Sequence, residues 1–416
     1  MTEVIEKTEN KKGYKKTKLG WIPEDWEILK FGEAYKFLST GSNSREDLNN
    51  TGEYLYIHYG DIHCKYKNIL DCVKIEIPHI NKDKVKNLPE LKDRDLIFVD
   101  ASEDYEGITK CTEIKNVNNK NIVSGLHTLL LRPQIDIFSG YGGYIASNPI
   151  VNKNIKKMAN GWKVYGISKD NLSKIIFPLP SLKEQEKIAE ILLAWDEGIE
   201  TLEKLIEQKE VLKNSLAQKY FHRKNNLFQL KQHKLGELFK NRKETNCGNL
   251  ELLSVCDGLG IVPRSQLNAK DNSNEDKSKY LQVCVGDLAY NTMRMWQGRC
   301  GVSSYEGIVS PAYTVCVPKD NIDVDYMYYL FKTPHMIHDF WRYSQGIVDD
   351  TLNLKFNNFE VIKVRIPDKE TQTKIAKLLK SYDEEIQILN SKLEKLKEQK
   401  KGLMQKLLTG QIRVKI

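Results

Sequence analysis

Nine consecutive residues, Asn291-Thr292-Met293-Arg294-Met295-Trp296-Gln297-Gly298-Arg299, put two guanidinium groups, two carboxamides and an indole into one short stretch. These are the groups that form bidentate hydrogen bonds with purine edges, Arg with guanine and Asn or Gln with adenine. Arg264-Ser265 and Trp341-Arg342-Tyr343 add donors in the same half of the chain. In the first half, the run from Ser39 to Arg45, with Ser42, Asn43 and Arg45 as its strongest donors, suits phosphate or base contact and equally a solvated turn. His58, Tyr59 and His63 follow closely. Asp100 to Gly107 is acidic, which disfavours phosphate, although a carboxylate accepts from cytosine N4. Ser102 and Tyr105 are its remaining candidate contacts.

Catalytic signatures do not appear beside these groups. No Gly-x-x-x-x-Gly-Lys-Ser/Thr is present, and the Gly140-Tyr141-Gly142-Gly143 and Gly258-Leu259-Gly260 clusters lack dinucleotide-binding spacing, so they read as turns. The one Asn-Pro, Asn148-Pro149, is followed by isoleucine, which leaves no Asn-Pro-Pro-aromatic motif for a flipped base. His335 with His338, and His58 with His63 and Cys64, lack further ligands at metal spacing, so no metal is expected. Asp349-Asp350 and Asp93/Asp95 are carboxylate pairs, and neither is read as a nuclease site.

Composition bounds the rest. The chain has 416 residues, 40% of them hydrophobic and 29% charged, as expected of two or three globular domains. The net charge of +8 is compatible with a nucleic-acid partner without demanding one. Eight cysteines are scattered with no Cys-x-x-Cys pair, consistent with reduced thiols and a cytoplasmic location. No run approaches the roughly 18 apolar residues of a membrane span. The N-terminus is polar and lysine-rich without the apolar core of a signal peptide, and residues 1–17 read as a basic flexible tail.

The elements that must position the candidate groups occur twice. Residues 180–199 and 367–386 coincide at nine of twenty positions when offset by 187. Each copy opens a helix: Ser181 and Glu184 have the spacing of a capping box, and Asp368 can cap the second copy. Beyond the caps, Leu192, Trp195, Ile199, Leu202, Ile206, Leu216 and Tyr220 in one copy recur at threes and fours. Leu379, Tyr382, Ile386, Leu389, Leu393, Leu396, Leu403 and Leu407 do so in the other. This is the period of a coiled-coil seam, with Lys213 and Lys400 as polar residues that set register. Its partner is the other copy or, alternatively, a second chain. Fainter similarities (Phe31-Gly32-Glu33 with Leu235-Gly236-Glu237; Ile122-Val123-Ser124 with Ile308-Val309-Ser310) extend the repeat. Gly107 is matched with Gly298, whereas the identity of Tyr105–Ile108 with Tyr305–Ile308 breaks the order of the others. Strands are predicted over Tyr54–His58, Asp95–Val99, His127–Leu131 and Tyr313–Val317, and a helix over Val324–Trp341. The fold class is α+β: residues 18–180 and 223–367 form two globular domains, joined by helices at 181–222 and 368–408 that pair antiparallel, with a tail at 409–416.

Leu19-Gly20-Trp21-Ile22-Pro23-Glu24-Asp25-Trp26, Tyr56–His63, Pro178–Ala189 and Gly402–Gly410, in this duplicated order, resemble the specificity subunits of type I restriction-modification systems. The resemblance implies two target-recognition domains that read a split sequence in double-stranded DNA, with the helices as a ruler. It further implies docking of two methyltransferase subunits and of endonuclease/translocase subunits. The chain itself would be non-catalytic and bind no cofactor; S-adenosylmethionine, ATP and magnesium would sit on the partners. Apolar helix residues outside the seam, Leu193, Leu205, Leu212, Leu378 and Ile388, are candidates for that subunit interface or for packing against their own domains. Two other readings stay open here: a fused enzyme with its own methylase, and a coiled-coil scaffold that binds only proteins.

Overall fold

The computed structural model describes residues 12–161, 163–222, 227–256, 260–267, 273–348 and 351–415. Most of the basic tail, Trp162, Gly258-Leu259 and Asp349-Asp350 lie outside them. The chain divides into two compact units, Met1–Leu202 with Lys392–Ile416, and Glu203–Ser391.

Unit 1 is built on a five-stranded sheet. Its strands are β1 (Tyr35–Leu38), β2 (Ile69–Asp71), β3 (Leu96–Val99), β4 (Cys111–Lys115) and β5 (Thr128–Pro133), in the order β1-β5-β3-β4-β2. All pairs are antiparallel except β4 with β2. Strand β3 is buried on both faces, which its unbroken Leu-Ile-Phe-Val run anticipates. Unit 2 repeats four of these strands, all but β2, as β6 (Phe239–Asn241), β7 (Leu288–Asn291), β8 (Cys300–Val302) and β9 (Tyr313–Pro318), in the order β6-β9-β7-β8.

One polar device recurs under both sheets. Buried Asp95 takes the Lys92 amide at 2.8 Å and a two-pronged bond from Arg132 at 2.9 and 2.7 Å. Asp287 takes the Cys284 amide at 2.8 Å and Arg242 at 2.7 and 3.1 Å. The arginines come from different strands, Arg132 from β5 beside β3 and Arg242 from just after β6, across β9 from β7. A carboxylate this buried requires such pairing, so Asp95 is a structural anchor. Its neighbour Asp93 accepts the Val117 amide.

Two 40-residue helices, α1 (Leu182–Phe221) and α2 (Lys369–Leu408), contribute to each unit. In unit 1, Lys400 of α2 pairs with Asp196 of α1. In unit 2, Lys213 of α1 pairs with Asp383 of α2, and Lys209 with Glu385. Early residues of one helix meet late residues of the other, so the pair is antiparallel. Asp196 and Asp383 are 187 positions apart, as are Lys213 and Lys400, so one contact occurs twice. Its surroundings are duplicated as well: Tyr144 donates to Asp196 at 2.6 Å and Tyr329 to Asp383 at 2.5 Å. Each lysine lies over the corresponding tyrosine ring. The seam partner is therefore within the chain.

Two sequence expectations are corrected. Glu184 does not close a capping box with Ser181; its fully buried carboxylate instead accepts Trp26 Nε1 at 2.8 Å and Arg413 at 2.7 and 2.9 Å. A tertiary charge partner outcompetes a local cap. Asp368 does cap α2, accepting the Thr371 amide at 2.9 Å. The single helix over Val324–Trp341 is two, Val324–Phe331 and Pro334–Tyr343, because Pro334 cannot continue the first. Gly107 and Gly298 share the connection between equivalent strands, yet Gly107 opens a 3-10 turn and Gly298 closes one. Gly307–Val309 is a strand, unlike Tyr105–Ile108.

Candidate nucleic-acid interface

In unit 1 the polar run at Ser42–Arg45 is held by a phenol. Buried Tyr56 accepts the Asn43 amide at 3.1 Å, donates to the Asn43 carbonyl at 3.0 Å and accepts the Leu126 amide at 2.9 Å. A side chain at Gly125 would collide with the Tyr56 ring, which explains that glycine. The loop of Ser42 and Asn43 is thereby fixed beside Leu126-His127. Arg45 pairs with Asp61 at 3.0 Å while its side chain stays more than half exposed.

The short helix Tyr59–Cys64 begins at His58, whose Nδ1 accepts the Gly60 amide at 3.1 Å. His58 is only 5% exposed, so it caps the helix from inside. Burial first, and the nearby Arg45 charge second, hold its imidazole below the ordinary range. Tyr59 packs against His58, His63 and His127 with ring centroids at 4.6, 5.9 and 5.2 Å. His127 sits in the left-handed backbone region and bonds Asp100 at 3.1 Å. His63 meets the Ala101 carbonyl at 3.2 Å. Ser102 is buried and accepts the Asp104 amide. The structure therefore gathers Arg45, Tyr59, His63 and the missed His127 into one cluster. Tyr105 stands apart from it, donating to the Lys156 carbonyl and packing edge-on against Tyr165.

In unit 2 the Asn291–Arg299 stretch is an irregular turn packed on the helix Pro334–Tyr343. Met295 is buried, and Gly298, at a positive φ, leaves room for Ile337 where any side chain would crowd it. Asn291 accepts the Met293 amide at 2.9 Å, and Trp296 Nε1 donates to the Met293 carbonyl at 3.0 Å. These contacts fix the turn from within, while Gln297 and Arg299 are left exposed at its end. Arg264 opens a 3-10 turn lining a hollow with Ser254, Asn274, Tyr280 and Tyr313. Tyr313 also borders the cleft of Thr292 and Met293, which links the two features. Arg342 lines a different cleft, with Lys363 and Arg365.

Among the described residues, no group of three or more His, Cys, Asp or Glu is placed to hold a metal, and no helix is long and apolar enough to cross a membrane. All eight cysteines are free thiols. Asn148, of the lone Asn-Pro, caps the helix Pro149–Met158 and donates to the Leu408 carbonyl. Of the apolar helix candidates, Leu193 packs into the unit 1 core beside Gly140. Leu205, Leu212, Leu378 and Ile388 are exposed on the unit 2 portions of the helices.

A family model described as the type I restriction modification DNA specificity domain matches residues 23–211 and 262–398. Two proteins of Methanocaldococcus jannaschii are similar over nearly the whole length. The putative type I restriction enzyme MjaX specificity subunit is 25% identical over 97% of both chains. The type I restriction enzyme MjaVIII specificity subunit is 23% identical over 95% of this chain and 94% of its own. Among solved structures, the S subunit of a type I restriction-modification system from M. genitalium is similar with a TM-score of 0.57, covering 92% of this chain and 96% of its own at 15% identity. A chain from a study of complex assembly and conformational transition in the type I system gives a TM-score of 0.56, covering 94% and 99% at 15% identity. At that identity both speak for the fold.

Proposed function

Because the chain belongs to the type I restriction-modification DNA specificity family, we propose that its two units each read one half of a split sequence in duplex DNA. One observation carries this reading: a shared scaffold presents different chemistry in equivalent places. The connection after β3 is acidic, Asp100 to Gly107, whereas the connection after β7 offers Asn291, Arg294, Gln297 and Arg299. A common frame with unlike donors and acceptors suits two unlike half-sites. Arg45, Tyr59, His63 and His127 would serve unit 1, and Arg264 with the Asn291–Arg299 turn would serve unit 2. The paired helices set the spacing. Leu205, Leu212, Leu378 and Ile388 offer apolar area for two methyltransferase subunits, which bind S-adenosylmethionine. Endonuclease/translocase subunits using ATP and magnesium join that complex, which acts on cytoplasmic DNA. The chain contributes recognition and no catalytic group.

Single-molecule sequencing of host DNA, scored for N6-methyladenine with the gene intact and deleted, tests this. Loss of methylation at one split motif on deletion is expected. An unchanged map would reject the reading.

A further inference from the structure

The pair of Arg45 with Asp61 is built unlike the anchors under the two sheets. In the anchors two guanidinium nitrogens meet both carboxylate oxygens, and the side chains of Arg132 and Arg242 are only 26% and 16% exposed. Arg45 makes a single bond, from Nη2 to Asp61 Oδ1 at 3.0 Å, and its side chain is 56% exposed. Asp61 is buried, and its Oδ2 is enclosed without a hydrogen-bond partner among the described residues. A buried carboxylate oxygen left unmatched costs stability. A pair that served only the fold would close on both oxygens, as the anchors do.

Both ends of Arg45 are nevertheless fixed. Its backbone opens the 3-10 turn Arg45–Asp47, closed by the Ser44 amide donating to the Asp47 carboxylate at 3.1 Å, and Asp47 is tied in turn to Lys84. Asp61 is held in the short helix Tyr59–Cys64, its amide donating to the His58 carbonyl at 3.0 Å and its carbonyl accepting the Lys65 and Tyr66 amides at 2.7 and 2.8 Å. A side chain at Gly60 would bring its Cβ to 3.0 Å from Arg45 Nη2, so the glycine leaves the guanidinium its path to Asp61. Nε and Nη1 of Arg45 have no partner among the described residues. The surroundings are acidic on balance, with Glu46, Asp47 and Asp61 against Arg45 and Lys84. That balance suits the arginine poorly as a grip on phosphate and leaves its direction as the useful property.

We propose that Asp61 is a positioning residue for DNA reading: it holds Arg45 so that the remaining guanidinium donors meet one guanine in the half-site of unit 1. The carboxylate removes in advance the rotamer freedom that an untethered arginine would lose on binding. It also subtracts from general attraction to phosphate, so it contributes to discrimination rather than to affinity. This rests on the DNA-reading function proposed above.

The test uses the full-length chain, alone and assembled with its methyltransferase subunits, and duplexes carrying the motif found by methylation mapping. Each base pair is substituted in turn in the half-site that changes when residues 18–180 are exchanged. Arg45→Ala should lower the preference for one G·C pair about tenfold and leave the other positions and the other half-site as they were. Asp61→Asn should lower that same preference without weakening binding to unrelated duplex, since a negative charge is removed. Gly60→Ala displaces Nη2, keeps every charge and should act at the same base pair. With Arg45→Ala and Asp61→Asn combined, the loss should equal that of Arg45→Ala alone. Wild-type base preference in Asp61→Asn or Gly60→Ala chains that melt as wild type overturns the inference. A loss that adds to that of Arg45→Ala, or that spreads over every position, overturns it as well. Absence of any motif, or of wild-type binding, would instead reject the DNA-reading function itself.

Discussion

Arg299 and Gln297 are exposed beside Gly298, whose left-handed backbone ends the turn that presents them. On the proposed reading, a guanidinium in that setting would meet guanine through two acceptors, so its loss would remove discrimination as well as attraction. Arg299→Ala is expected to cost about 1–3 kcal/mol on the cognate duplex and to relax the preference at one base pair, measured by competition among single-substituted duplexes. His58 lies at the other extreme, buried under the Tyr59 cluster. Its depressed pKa means that the unfolded chain binds the proton more readily than the folded one. Unit 1 therefore loses stability as pH falls below the ordinary histidine value of about 6.5. His58→Asn keeps a cap acceptor and should abolish that loss, as read from melting temperature between about pH 7.5 and 5.5.

The long helices were the most legible elements, because a seam repeating at threes and fours over 40 residues has no other economical explanation. Their lysines were legible as register-setting residues, but the Asp and Tyr partners were not: Lys400 meets Asp196 from 204 positions away. Distance in sequence hid the fate of Glu184 for the same reason. Candidate loops could be recognised from composition, whereas the Tyr56 clasp and the place of His127 depend on strands that converge only in the fold. The outer helix faces also break the internal symmetry. Leu205, Leu212 and Ile388 are exposed on the unit 2 portion, while the positions 187 away are Lys392, Gln399 and Thr201. Leu212→Ser with Ile388→Ser should reduce assembly with the methyltransferase subunits several-fold and leave DNA binding intact. Co-purification and a DNA mobility shift, run on the same variant, check both halves of that expectation.

At the scale of the molecule, the repeat makes recognition modular. Each unit has its own sheet and its own buried carboxylate–arginine anchor, so neither needs the other's loops to hold its shape. Replacing residues 18–180 with those of a relative is expected to change one half of the methylated motif and preserve the other, as scored by genome-wide methylation mapping. A change in both halves would show that the units do not read independently.

The C-terminal segment belongs to the unit that begins the chain. Tyr14 donates to the Gly410 carbonyl, Asn148 to that of Leu408, and Arg413 clamps both Asp25 and Glu184. Leu407 and Leu408 complete the same core. Unit 2, by contrast, is one continuous stretch. During synthesis the order of completion is thus inverted: the second unit has all of its residues before the first, which, though begun earlier, still lacks Leu407, Leu408 and Arg413. A nascent chain with half its reading surface unfinished is held in that state until these residues emerge, so a truncation before Leu407 damages the domain encoded farthest from it.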